Sequence, residues 1–140
     1  MSKIAVVYWS GTGNTEQMAG MVAAGAKDAG AEVTSCTAAE FTVDMVDQFD
    51  AIAFGCPSMG SEQLEESEFE PMFTPCLAKL AGKKVGLFGS YGWGDGEWMR
   101  NWAESCQGAG ADLVSEGVIC NGAPDDSAEA ECRALGQALA

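Results

Sequence analysis

Ile4-Ala5-Val6-Val7-Tyr8-Trp9, followed at once by Ser10-Gly11-Thr12-Gly13-Asn14-Thr15, is the stretch on which the reading of this chain turns. An apolar, β-rich run stops in glycines and hydroxyls. Helical spacing then begins, at Met18, Met21, Val22, Gly25 and Ala29, so the whole reads as strand, loop and helix. Such a loop can wrap a phosphate: glycines let backbone N–H groups approach an anion, hydroxyls add donors, and the helix N-terminus supplies unpaired N–H groups and a favourable dipole. Nothing in it is basic, so a phosphate would be held by neutral donors. It is not a dinucleotide fingerprint, because Glu16 stands where the third glycine of G-x-G-x-x-G belongs, and it lacks the G-K-[ST] of an NTP-binding loop. The plainer reading is a turn with Asn14 or Thr15 capping the helix.

Further apolar runs lie at Ala51 to Gly55, Val85 to Gly89, and Val118 to Cys120 with Leu113 and Val114 before it, and Val33 anchors a weaker one. Helical spacing recurs at Phe69 to Leu80, at Trp98, Trp102 and Cys106, and at Ala128, Cys132, Leu135 and Leu139. Alternation of strand and helix predicts an α/β protein with a parallel sheet covered on both faces. Glu32-Val33-Thr34-Ser35-Cys36 is polar and the fifth run is interrupted at Ser115-Glu116-Gly117, so both suit edges. Right-handed crossovers then favour a five-stranded sheet of order 2-1-3-4-5, with the expected ligand crevice where the chain reverses between strands 1 and 3. Gly30 and Gly110 are expected to end helices, and Asp125 or Asp126 to begin the last one. Pro71 fits a first turn, whereas Pro75 is expected to kink or restart its helix.

A chain of 140 residues is most simply one domain spanning 1–140, able to bury about 68% of its unfolded surface without staples. The net charge of −14 and only seven Lys and Arg argue against a nucleic-acid surface. Acidity serves solubility or steers the chain toward basic protein partners. Histidine is absent, which removes the commonest general base and the usual imidazole metal ligand. Cys36, Cys56, Cys76, Cys106, Cys120 and Cys132 form no C-x-x-C pair and no metal spacing; most read as reduced core residues. With no signal peptide, membrane-spanning run or basic tail, the chain reads as cytoplasmic.

Three loops, after strands 1, 3 and 4, are expected to meet at the carboxyl edge of the sheet. The second, Cys56-Pro57-Ser58-Met59-Gly60-Ser61-Glu62, sets a polarizable thioether beside a conformationally free glycine. The third, Ser90-Tyr91-Gly92-Trp93-Gly94-Asp95-Gly96-Glu97, brackets an indole with glycines, which makes it a stacking platform or a cover for the sheet end. Trp98 and Trp102, four apart, read as a helix face on the sheet. A neutral phosphate cradle beside a Met-Gly loop and a bracketed Trp describes a site for a phosphorylated planar cofactor, and one phosphate loop suits FMN better than a dinucleotide.

On these residues the chain resembles the short-chain flavodoxins of anaerobic bacteria, nearly end to end. Ser10 to Thr15 is similar to the family's [ST]-x-T-G-x-T loop, and Met59-Gly60-Ser61-Glu62 and Tyr91-Gly92-Trp93-Gly94 resemble its two flavin-flanking loops. Strand order 2-1-3-4-5 with FMN at the switch point is the standard description of flavodoxin itself, so that agreement is not independent. The resemblance implies a flavodoxin-like three-layer sandwich. It implies Ser10, Thr12, Asn14, Thr15 and the loop backbone on the phosphate, and Met59 and Trp93 on opposite faces of the isoalloxazine. Gly60 would carry the peptide that turns its carbonyl toward flavin N5, Glu62 would accept from N3–H, and Asn121, before Gly122-Ala123-Pro124, would lie near the ribityl chain. It implies a monomeric one-electron carrier shuttling FMN between semiquinone and hydroquinone for redox partner proteins. The uncompensated phosphate and the acids around the flavin predict a low potential for the second electron and basic docking surfaces on those partners. Glu62, Glu65, Glu66, Asp95 and Glu97 are the acids expected near the flavin edge. The alternatives are an FMN-dependent NAD(P)H:quinone reductase of the same fold and a non-redox phosphate-binding module.

Overall fold

The computed structural model describes residues 2–60 and 62–140. In chain order its elements are β1 (Lys3–Tyr8), α1 (Asn14–Asp28), β2 (Glu32–Thr37), a 3-10 segment (Val43–Gln48), β3 (Ala51–Gly55), α2 (Phe69–Leu77), β4 (Lys84–Tyr91), α3 (Glu97–Gly108), β5 (Asp112–Leu113), β6 (Val118–Asn121) and α4 (Asp126–Leu139). The strands form one parallel sheet in the order β2-β1-β3-β4-β5, and β6 pairs with β4 as well. Tyr8 lies opposite Gly55 and Gly55 opposite Phe88, so the loops after β1, β3 and β4 all leave from one edge.

Side chains alternate across the sheet as period two requires. Ile4, Val6, Ala51 and Ala53 pack with Met18, Val22, Leu135 and Leu139 of α1 and α4. Ala5, Val7, Ile52, Phe54 and Leu87 pack on the other face with Phe69 and Phe73 of α2 and Trp98 and Trp102 of α3. The second face is aromatic: Phe54 meets Phe73 edge-on at 5.0 Å and Phe69 meets Trp102 edge-on at 5.4 Å, geometries that suit ring quadrupoles. On the first face, α1 and α4 touch backbone to backbone. A Cβ added to Gly136 would lie 2.0 Å from the Val22 carbonyl oxygen, and one added to Gly25 would lie 2.1 Å from that of Arg133.

Three local expectations need correction. The fifth position of the sheet is two short strands instead of one, giving six among the described residues, because the chain leaves the ladder at 115–117 and Gly117 takes φ +113. The cap of α1 is Gly13, in the left-handed region, instead of Asn14 or Thr15; Ser10 supplies the side-chain acceptor from further upstream. Pro75 does not begin a new helix: α2 contains it and stops two residues later, at Leu77. Gly30 and Gly110 follow α1 and α3 with positive φ, the N–H groups of Ala31 and Ala111 reach back to Ala26 and Cys106, and Asp125 accepts from Ala128 N–H at 2.8 Å, all as expected.

All six cysteines are free, five of them buried. Burial pushes the thiols of Cys56, Cys106 and Cys132 up to about 12 and that of Cys76 to about 11, which leaves them inert packing groups. Among the described residues no helix is long and apolar enough to cross a membrane.

Candidate functional site

Several clefts of similar size line the surface, so volume does not single one out. Position does. One cleft of about 270 Å³ opens at the carboxyl edge of β1, β3 and β4 and is walled by Trp9, Ser10, Gly11, Thr12, Asn14, Thr15, Pro57, Ser58, Met59, Ser90, Tyr91, Gly92 and Gly122. This is the crevice expected at the topological switch point, and among the described residues none of its wall is charged.

The floor of the cleft is the start of α1. Ser10 Oγ accepts from the N–H groups of Gly13 at 3.1 Å and Glu16 at 3.2 Å, which curls the loop onto the helix. Among the described residues, the N–H groups of Asn14 and Thr15 are left without an acceptor, as the first turn of a helix requires. The Ser10 hydroxyl keeps its own proton to donate, and Thr12 adds another at the exposed rim. Thr15 is 1% exposed, and its Oγ1 lies 3.4 Å from Ser90 N. The floor is therefore a set of neutral donors at the positive end of a 15-residue helix, the chemistry that suits a phosphate monoester.

Ser90, 5% exposed, joins the walls. Its N–H faces Thr15, its carbonyl accepts from Ser58 N–H at 3.0 Å, and its hydroxyl donates to the Gly122 carbonyl at 2.7 Å. The end of β4, the start of α1 and the loops after β3 and β6 thus meet at one residue. Met59 and Gln63 exchange backbone hydrogen bonds of 2.8 and 2.9 Å, closing the second loop into a tight hairpin. At its tip Gly60 has φ +50 and Glu62, unusually for a residue with a side chain, φ +54. Glu62 Oε1 accepts from Glu97 N–H at the start of α3 at 3.1 Å. A Cβ on Gly94 would lie 2.5 Å from that carboxylate, so glycine is what lets the second and third loops meet.

Of the residues expected at the site, the cleft wall brings together Ser10, Gly11, Thr12, Asn14, Thr15, Ser58, Met59, Ser90, Tyr91 and Gly92. Gly13, Gly60, Glu62, Trp93 and Gly94 belong to the same loops but stand off the wall, and Ser61 lies outside the described residues. Trp93 is 62% exposed, the large hydrophobic side chain left in solvent among the described residues. Asn121 ends β6 opposite Tyr91 and is exposed; Gly122, one residue on, forms the wall. Sequence reasoning missed Trp9, Pro57 and Gly122. Trp9 reads as the end of the first apolar run, and its place at the junction of run and loop is the available signal; β1 stops at Tyr8, and the Trp9 indole turns to donate to Glu68 Oε1 at 3.1 Å.

Two of the expected acids do not stand as free surface charges. Asp95 pairs with Arg100 at 3.0 Å. Glu65 is only 6% exposed and is turned inward onto the start of α2.

A doubly wound sheet with a neutral mononucleotide-phosphate cradle at its switch point defines a class, the flavodoxin-like α/β proteins. The Flavodoxin family model matches residues 6–136. The chain is 50% identical to the flavodoxin of Megasphaera elsdenii over 137 residues, 98% of each chain, and 45% identical to that of Clostridium beijerinckii over 96% of this chain and 97% of the other. The solution structure of two-electron reduced Megasphaera elsdenii flavodoxin superposes with a TM-score of 0.90 at 51% identity, covering 97% of both chains. The chain belongs to the flavodoxin family. Flavodoxins carry FMN and transfer electrons instead of turning over a small-molecule substrate, so the reductase alternative falls away.

Proposed function

We propose that this chain is a low-potential, one-electron carrier that holds FMN non-covalently in the cleft and serves protein partners, acting as a monomeric, single-domain cytoplasmic protein. When bound, FMN supplies the one-electron chemistry; the protein tunes it through stacking, hydrogen bonds and charge. Ser10, Thr12, Asn14 and Thr15 would hold the phosphate, since they bring hydroxyls and two unclaimed helix N–H groups to one floor. Met59 on the wall and solvent-facing Trp93 would cover the two ring faces. Gly60 would offer its carbonyl to N5, and Glu62, whose carboxylate has acceptor capacity beyond its bond to Glu97, would take N3–H. Ser58, Tyr91 and Gly92 complete the wall.

The observation that carries the low potential is that, among the described residues, no cationic side chain lines the cleft wall. A second electron would add negative charge near a phosphate held by neutral donors and near Glu62, and both disfavour it. The acidic surface supports docking of partners with basic faces. The test is the visible spectrum of the purified protein during stepwise potentiometric reduction. Two separated one-electron steps, the second well below the first, are expected; a colourless protein or a single two-electron step overturns the reading. Transfer rates to a basic partner should fall with added salt, and rates that do not fall would remove the proposed docking mode.

A further inference from the structure

Glu65 is a buried carboxylate that the cleft itself does not use. Its side chain reaches the start of α2: Oε1 accepts from the N–H groups of Glu68 and Phe69 at 2.8 Å each, and Oε2 accepts from the N–H of Ser67 at 2.8 Å and from the Ser67 hydroxyl. Four donors thus converge on one carboxylate. The junction also reaches two of the cofactor loops. The N–H of Glu65 donates to Cys56 Sγ at 3.4 Å. Cys56 is fastened in turn, its N–H to Phe88 O at 3.1 Å and its carbonyl to the Trp98 indole N–H at 3.1 Å. Glu68, whose N–H Glu65 binds, accepts the Trp9 indole N–H at 3.1 Å and so links α2 to the cleft wall.

We infer that Glu65 is a positioning residue for the flavin: through the start of α2 it pins both roots of the 57–64 loop and the Trp9 wall, confining backbone rotation to the tip at Gly60. This rests on the FMN reading above and goes beyond it. A ligand-linked backbone rotation contributes its full differential energy only where the surrounding frame does not yield with it. Here the frame is the Met59–Gln63 hairpin and the Cys56–Glu65 contact. Among the described residues of this loop, Gly60 and Glu62 at the tip have positive φ. A neutral amide of the same shape would turn an NH₂ group toward buried donors and loosen the frame from its root.

The experiment compares wild type with Glu65→Gln, and with Ser67→Ala, which removes one donor and keeps the three N–H bonds. Two readouts are taken: the separation of the one-electron midpoint potentials with FMN bound, and hydrogen exchange at the Met59 and Gln63 amides of the cofactor-free chain. Glu65→Gln should lower the equilibrium constant set by that separation about tenfold, equivalent to about 59 mV for one electron, and raise exchange at both amides at least tenfold. Ser67→Ala should shift both in the same direction by less, and it carries the test if Glu65→Gln does not fold. A lower Tm with wild-type potentials and wild-type exchange at these amides would reduce Glu65 to a helix cap and overturn the inference. A wild-type chain that takes both electrons in one step removes the flavin reading instead, while exchange in the cofactor-free chain still decides whether Glu65 holds the loop.

Discussion

Replacing Ser10 with alanine separates two jobs that one hydroxyl performs. As an acceptor, Ser10 Oγ satisfies the N–H groups of Gly13 and Glu16 at 3.1 and 3.2 Å, so it closes the loop without any ligand. As a donor it has one proton left for a phosphate oxygen. Loss of the capping contact should cost the cofactor-free protein about 1 kcal/mol, which for a chain of this size lowers Tm by about 3–4 °C. Loss of a charge-assisted hydrogen bond should cost about 1.5–3 kcal/mol more in the complex, or roughly 10- to 150-fold in FMN affinity. Riboflavin lacks the phosphate, so its affinity should change far less. Thr12 sits at the exposed rim and makes no side-chain hydrogen bond among the described residues. Thr12→Ala should therefore weaken FMN binding while leaving the stability of the cofactor-free chain within about 0.5 kcal/mol. Urea unfolding of the cofactor-free variants and quenching of FMN and riboflavin fluorescence measure all of these quantities. Equal losses of FMN and riboflavin affinity in Ser10→Ala would refute the phosphate assignment, and unchanged cofactor-free stability would refute the capping role.

Gly94→Ala places a Cβ 2.5 Å from the Glu62 carboxylate at a residue with φ +86; about 2 kcal/mol of stability should be lost, together with the Glu62 to Glu97 contact, read by unfolding and by the Glu97 amide shift. Desolvation pushes the Glu65 carboxyl upward, but the Ser67 hydroxyl and the N–H groups of Phe69, Glu68 and Ser67 outweigh it and hold its pKa at about 2. Because the folded carboxyl binds its proton more weakly than the unfolded one, its contribution is complete above about pH 5 and is lost as pH falls from about 4.5 toward 2. Glu65→Gln should flatten the acid limb of the stability curve by about 2 kcal/mol between about pH 6 and about pH 3, measured by urea unfolding. A β-branched residue at Gly60, where φ is +50, should narrow the gap between the two reduction steps, and an unchanged gap in potentiometry would remove the tip from the mechanism. Gly136→Ala should cost about 3 kcal/mol or more, since the new methyl would meet the Val22 carbonyl oxygen at 2.0 Å; a wild-type Tm would show that the α1–α4 contact is looser than described.

What could be read along the chain was whatever repeats or punctuates locally. Strands announced themselves as short apolar runs, helices by their spacing and by Gly30, Gly110 and Asp125 at their ends, and the sheet order by the polarity of Glu32 to Cys36. The cleft followed from these, because a parallel sheet sends the loops after β1, β3 and β4 to one edge, and each loop carries its chemistry in consecutive residues. The tertiary structure alone decided what depends on contact between distant segments. Glu65 read as one more surface acid until α2 turned its N–H groups onto it. Trp9 read as strand until the indole found Glu68, 59 residues away, and Ser90 tied the end of β4 to the start of α1 and to two loops through partners as far off as Thr15, 75 residues away. Periodicity and turn chemistry are properties of neighbours in sequence, whereas a buried carboxylate, a cleft wall and a pinned loop exist only where the fold brings a second partner within hydrogen-bonding distance.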